Sequence, residues 1–408
     1  MLHSNTRARR VAYPPELKAL MNIEAAEQSR RWLSGWSGLL DGPTALTDLP
    51  DLAARLNIAR LSVKDESTRS PLGSFKALGA PIALVRQLLR LHPALDPATV
   101  LTGAHSALIR DYTVITATDG NHGRALAAAA RSAGCRCVIV LHANVSTERE
   151  EAIRAQGAEI VRIRGNYDDS VEEAARLAQA QGWQVISDTS YEGYQDIPRD
   201  VMQGYGTIAA ELVEQAGATP LEGGFTHVLL QGGVGGLAAG VASYLWEFHG
   251  ASRPGFIVVE PQQADCLYQS AVHGRPARAT GSVDSIMAGL ACGETSSLAW
   301  RFLEPCVDHF LTIADDAAVL AMRALAKGGA RDVPIVAGES GAAGLAGLQV
   351  LLDHPGWKQQ VGLDERSRVL VINTEGATAP SVYQQLVGEN AHSVQERQFA
   401  WRRSGRAT

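Results

Sequence analysis

Four short segments of the 408-residue chain combine glycine with side chains able to do chemistry. In Gly73-Ser74-Phe75-Lys76-Ala77-Leu78-Gly79 a lysine follows a tight turn and sits among Ala, Leu and Gly. Partial desolvation there would lower its pKa and favour the neutral amine that condenses with an aldehyde. A lysine at a helix start is also an ordinary surface residue, because lysine is seldom buried. In Thr118-Asp119-Gly120-Asn121-His122-Gly123, amides at a helix entrance and the Asn121 side chain can hold a carboxylate or a ring oxygen. Asp119 and Asn121 could equally form nothing more than an Asx turn.

The third segment, Gln231-Gly232-Gly233-Val234-Gly235-Gly236, holds four glycines in five positions, which lets main-chain N–H groups converge on a phosphate. Gly233, Gly235 and Ala238 also match the dinucleotide pattern G-x-G-x-x-A, and Glu260 stands near where a ribose-binding acid would be. This locus alone leaves both open. The fourth segment, Asn373-Thr374-Glu375-Gly376, offers a hydroxyl that could bond a ring nitrogen or merely its own turn. No H-E-x-x-H, paired C-x-x-C or G-x-S-x-G occurs, so zinc and serine hydrolysis lack support.

These segments need strands and helices to bring them together. Short apolar runs alternate with Ala-rich helical stretches, which predicts βαβ units and an α/β fold with mostly parallel open sheets flanked by helices. The predicted strands are 59–64, 114–117, 137–141, 160–163, 184–186, 227–230, 256–259, 309–313 and 369–372, and each glycine segment falls at or near the end of one, where such sheets place ligands. Helix starts are read at Thr147 (before Glu150) and Asp169 (before Glu172). The first ten residues and those from Arg402 onward read as frayed, and Ala216–Phe225, with Pro220, as a hinge or boundary.

Composition bounds the partners. Hydrophobic residues make up 46% and charged residues 20%, as in ordinary globular proteins. A net charge of -6 argues against a nucleic-acid partner. No apolar run reaches the roughly 18–20 residues of a membrane helix, and the start lacks the apolar core of a signal peptide. Five scattered cysteines do not resemble a disulfide framework, so a cytoplasmic protein is expected.

Taken together and in this order, the segments resemble the fold-type II pyridoxal 5'-phosphate (PLP) enzymes, the group of tryptophan synthase β-subunit and the serine/threonine dehydratases. Further stretches look like diaminopropionate ammonia-lyases: Val63–Ser67, Thr118–Gly123, Asn166–Asp169, Asp188–Tyr194, Ile197-Pro198 with Met202–Tyr205, Ile286–Glu294, Gly338–Ala342 and Thr374–Gly376. The resemblance runs from about Gly42 to Gly388. It implies that Lys76 carries the cofactor as an imine, beside Phe75. It also implies that Gly232, Gly233, Val234, Gly235 and Gly236 bind the phosphate, Thr374 faces the pyridine nitrogen and Asn121 bonds the phenolic oxygen. Asp119 and Asp188 would lie near a substrate whose second amine is cationic.

The implied activity is elimination from D- and L-2,3-diaminopropionate to pyruvate and ammonia, with Lys76 as base for the L-isomer, Asp119 for the D-isomer and Asp188 positioning the distal amine. The Gly-Ser-Phe before Lys76 matches the serine/threonine dehydratases instead, which keeps serine, threonine or hydroxyaspartate as alternative substrates. Across classes, a nicotinamide-dependent oxidoreductase and a non-catalytic amino-acid sensor stay open. Cys266 and Cys292 follow segments that approach the same site, and a disulfide between them is one reading. The resemblance further implies a homodimer of two-domain subunits: residues 1–88 and 217–408 forming the larger PLP-binding domain, residues 89–216 a smaller inserted one, with PLP between them.

Overall fold

The computed structural model describes residues 1–118, 120–219 and 224–404. Its strands in chain order are β1 (Leu2–Ser4), β2 (Leu46–Asp48), β3 (Arg60–Asp65), β4 (Thr113–Ala117), β5 (Arg136–Leu141), β6 (Glu159–Arg162), β7 (Gln184–Val185), β8 (His227–Gln231), β9 (Gly255–Pro261), β10 (His309–Ile313) and β11 (Arg368–Asn373). They form two sheets. A seven-stranded sheet runs β1-β10-β9-β8-β11-β3-β2, and a four-stranded sheet runs β6-β5-β4-β7. Every pairing is parallel except at the two edges of the larger sheet, where β1 lies antiparallel to β10 and β2 to β3.

All nine predicted strands are present, with ends displaced by a residue or two. β1 and β2 were not foreseen, because three residues are too few to show a period. The expectation of a frayed amino end is therefore corrected: Leu2, His3 and Ser4 pair with Leu311, Phe310 and His309, and the Asn5 side chain bonds the Glu304 and Val307 carbonyls at 2.7 Å. At the other end the helix Ala391–Arg403 continues through Arg402. Two helix starts also shift. Ser146, not Thr147, caps Thr147–Arg154, and Asn166 caps Tyr167–Gln181, with Asp169 closing the reciprocal capping box from the third helical position. Of the expected hinge, residues 220–223 lie outside the described residues.

Helix Asp196–Gln215 packs between Ile23–Leu33, Ala80–Leu91 and Gly236–His249. Glycine allows that crossing to be close: a Cβ on Gly204 would stand 2.0 Å from the Leu78 carbonyl oxygen, and one on Gly240 would stand 2.6 Å from that of Met202. A buried ionic network ties this helix to β3. Lys64 Nζ donates to Glu211 Oε2 at 2.6 Å and to the Thr44 carbonyl at 2.8 Å, while Arg69 bridges Glu66 and Glu211. Lys64 and Glu66 belong to one of the family-like stretches, and their position makes that stretch a structural tie.

Candidate active site

The lysine turn is pinned to the end of β11. Phe75 N donates to the Thr374 carbonyl at 3.0 Å, and Gly376 N donates to that of Gly73 at 2.9 Å. Lys76 and Thr374 thereby line one cavity of about 560 Å³, together with Asn121, Asp188, Tyr205 and residues 233–237. The cavity lies at the carboxyl ends of β4, β8 and β11, as strand polarity in parallel sheets requires.

Lys76 Nζ forms an ion pair with Asp188 Oδ2, and His122 Nδ1 stands 3.8 Å from the same oxygen. Burial pulls the lysine pKa down, but the opposing carboxylate outweighs it and holds the amine above the ordinary lysine range. The expected neutral amine is thus corrected; Asp188, 112 residues away in sequence, is the reason. Burial also pushes Asp188 up, yet the Lys76 cation holds it well below the usual carboxylate range. His122 bonds the Ile186 carbonyl through Nε2 at 2.8 Å, and burial holds its imidazole below the ordinary range.

Asn121 Nδ2 donates to Glu375 Oε2, joining the helix after β4 to the loop after β11. Ser190 makes a second junction: its hydroxyl lies 2.7 Å from Ser296 Oγ and accepts the Leu298 amide at 2.8 Å. This anchors the loop that carries Asp188. Glu375, Ser190 and Tyr205 were not singled out as site residues from sequence. A glycine inside a helix at Gly204 was the available signal for Tyr205, since it marks a close approach. Asp119 lies outside the described residues.

The glycine segment fits a phosphate. Gly235, at φ +101°, caps helix Gly236–His249 in the left-handed region, and among the described residues the amides of Gly233, Val234, Gly235 and Gly236 donate to no other group. Four open N–H groups at the positive end of a 14-residue helix form an anion cradle. A Cβ on Gly232 would come within 2.7 Å of Glu260 and Val258 side-chain atoms, so this turn admits no bulk. Glu260 is not turned toward a ribose: its carboxylate accepts the Leu267 and Tyr268 amides at 2.8 and 2.7 Å. It serves the helix Cys266–His273, which removes the acid that the dinucleotide reading required. Cys266 and Cys292 are thiols, so the considered disulfide is not formed; Cys266 Sγ points to the Gly233 carbonyl at 3.4 Å.

The model of the family described as pyridoxal-phosphate dependent enzymes matches residues 38–375. The chain therefore belongs to that family, and PLP is its cofactor; the lysine facing an open anion cradle suits an aldehyde that carries a phosphate. Within the class it belongs with the diaminopropionate ammonia-lyases, being 42% identical to that enzyme of Escherichia coli K12 over 360 residues, 86% of this chain and 89% of the relative. Two crystal structures of the E. coli enzyme are similar to it throughout. One, in complex with an aminoacrylate-PLP azomethine reaction intermediate, superimposes with a TM-score of 0.84 at 38% identity, covering 97% of this chain and 98% of the other. The second, in complex with D-serine, gives 0.85 at 39% over the same shares. The fold is thus the expected α/β arrangement of fold-type II.

Proposed function

We propose that this chain is a carbon–nitrogen lyase that converts 2,3-diaminopropionate, of either hand, to pyruvate and ammonia. The observation that carries the reading is the meeting of Lys76, Asp188 and the open cradle 233–236 in one cavity. The similarity to diaminopropionate ammonia-lyase and the D-serine complex of that relative support the substrate class. The overall change consumes one water and releases both nitrogens as ammonia.

The amides of Gly233 to Gly236 would hold the cofactor phosphate, the expected Gly232 amide being committed instead to the Val259 carbonyl at 2.8 Å; Thr374 would face the ring nitrogen, Asn121 the phenolic oxygen, and Phe75 would flank the site. PLP, when bound, withdraws electrons from the substrate Cα and so acidifies its C–H bond. Lys76 then takes the Cα proton of the L-isomer and Asp119 that of the D-isomer, from opposite faces. Asp188 holds the distal ammonium, whose departure as ammonia leaves the bonding electrons of the Cβ–N bond on nitrogen. A hydroxyl at Thr374, unlike a carboxylate, leaves the ring nitrogen largely unprotonated and favours prompt elimination over transamination.

The unit built on the four-stranded sheet, within residues 89–216, closes over the cavity to keep water out. The packing of helix 196–215 on helices 23–33 and 236–249 supports a moving part that ends before residue 196. The active form is a cytoplasmic homodimer. Two measurements test the reading: borohydride-treated, PLP-loaded protein should carry the pyridoxyl mass on the Lys76 peptide, and pyruvate should form faster from diaminopropionate than from serine. An adduct elsewhere, or serine as the better substrate, refutes it. No turnover of any amino acid would favour the sensor.

A further inference from the structure

We propose that the Tyr205 hydroxyl is a second protein partner of the Lys76 nitrogen, making Tyr205 a positioning residue for the amine. This rests on Lys76 being the cofactor-bearing residue. Tyr205 is 1% exposed, lines the cavity, and its hydroxyl has no hydrogen-bond partner among the described residues. A buried phenol without a partner is costly, so its position calls for a reason.

The ring is held from three sides. It stands 4.8 Å from the Phe75 ring at 58°; a Cβ on Gly79 would lie 2.7 Å from Tyr205 Cζ, the atom bearing the oxygen; and Cε2 would lie 3.8 Å from one on Gly236. The hydroxyl end is thus confined between the lysine turn and the cradle. Lys76 Nζ is 5.9 Å from the ring centroid. Burial keeps the phenol protonated; Lys76 opposes this both through its charge and through the approach of its amine to the hydroxyl, while Asp188 adds to it. His122 and Cys292 are the other titratable groups that act on this pair. An ammonium has three N–H donors, of which Asp188 takes one. A neutral phenol oxygen is suited to a second, fixing the direction in which the amine points.

Tyr205→Phe removes the oxygen and keeps the ring packing. When PLP is added to PLP-free protein, the pH midpoint for the appearance of the visible absorption band should fall by about 1 on the pH scale, because a lost acceptor disfavours the ammonium that must deprotonate before it condenses. Turnover should fall about tenfold, with KM and PLP affinity within about twofold of wild type. Val201→Ala is the packing control: Val201 Cγ1 touches the same Gly79 position as the ring, and its loss leaves the hydroxyl intact. Its midpoint should match wild type. An unmoved midpoint in Tyr205→Phe overturns the proposal, as does an equal change in Val201→Ala. Weakened PLP binding with an unmoved midpoint would give the hydroxyl to the phosphate instead, also overturning it. Absence of the Lys76 adduct in wild-type protein would sink the underlying reading separately.

Discussion

At the scale of single residues, Asp119 makes a prediction that separates the two substrate enantiomers. Removing one acid–base group lowers a rate by roughly 100- to 10,000-fold. Asp119→Asn should therefore depress pyruvate release from D-diaminopropionate far more than from the L-isomer; equal losses in initial rates would refute the division of labour. Glu339 offers a second test. Burial, with Glu375 adding to it, pushes its carboxyl up to about 7 from 4.5, and Oε1 has no hydrogen-bond partner among the described residues. Arg149 and Glu148 also act on it, with opposite signs. A raised acid favours the fold below the ordinary glutamate range and loses that contribution as pH rises through about 7. Glu339→Gln should thus melt at higher temperature than wild type above about pH 8. The gain is on the order of a few kcal/mol, since each tenfold change in proton affinity is worth about 1.4 kcal/mol, and the two proteins should converge near pH 5. Parallel melting curves across that range would refute the sign. Lys76, Asn121 and Thr374 were legible as candidates because glycine punctuates the chain beside them. The charge state of Lys76 was not, since nothing local reveals a carboxylate arriving from 112 residues away.

At the scale of elements, the central strands were legible from their apolar runs, and the cradle from its glycines. Edge strands and helix caps were less so: β2 has only three residues, and both misassigned caps lie one to three positions from the true ones. The cradle makes a testable demand on its backbone. Gly235 adopts φ +101°, and a Cβ there would meet Leu303 Cδ1 at 2.9 Å. Strain of this kind costs about 1–3 kcal/mol, and about 1.4 kcal/mol is tenfold in binding. Gly235→Ala should weaken PLP affinity about tenfold or more in equilibrium dialysis while far-UV circular dichroism stays unchanged; undiminished affinity would show that these amides do not hold the phosphate.

At the scale of the whole molecule, charge and composition set expectations about partners but carried no sign of assembly. No helix of the described residues is long and apolar enough to cross a membrane. The proposed homodimer should sediment at twice the 43.4 kDa chain mass; a monomeric boundary at assay concentration would count against it. The network of Lys64, Glu66, Arg69 and Glu211 was hidden in sequence because its members are spread over 147 positions. Breaking one partner of a buried charge pair costs roughly 3–5 kcal/mol, so Glu211→Ala should lower the urea midpoint sharply. Lys64→Met with Glu211→Leu, leaving Arg69 its Glu66 partner, should recover part of the loss, and additive losses would argue against coupling through this pair.

The order of the larger sheet has a consequence for biosynthesis. β11, the last strand in sequence, is inserted between β8 and β3 and carries Thr374 at its end. A ribosome therefore releases Lys76 and the glycine turn long before the strand that seats them side by side. The nascent polypeptide cannot bring Lys76, residues 233–237 and Thr374 around one cavity until translation has passed residue 376.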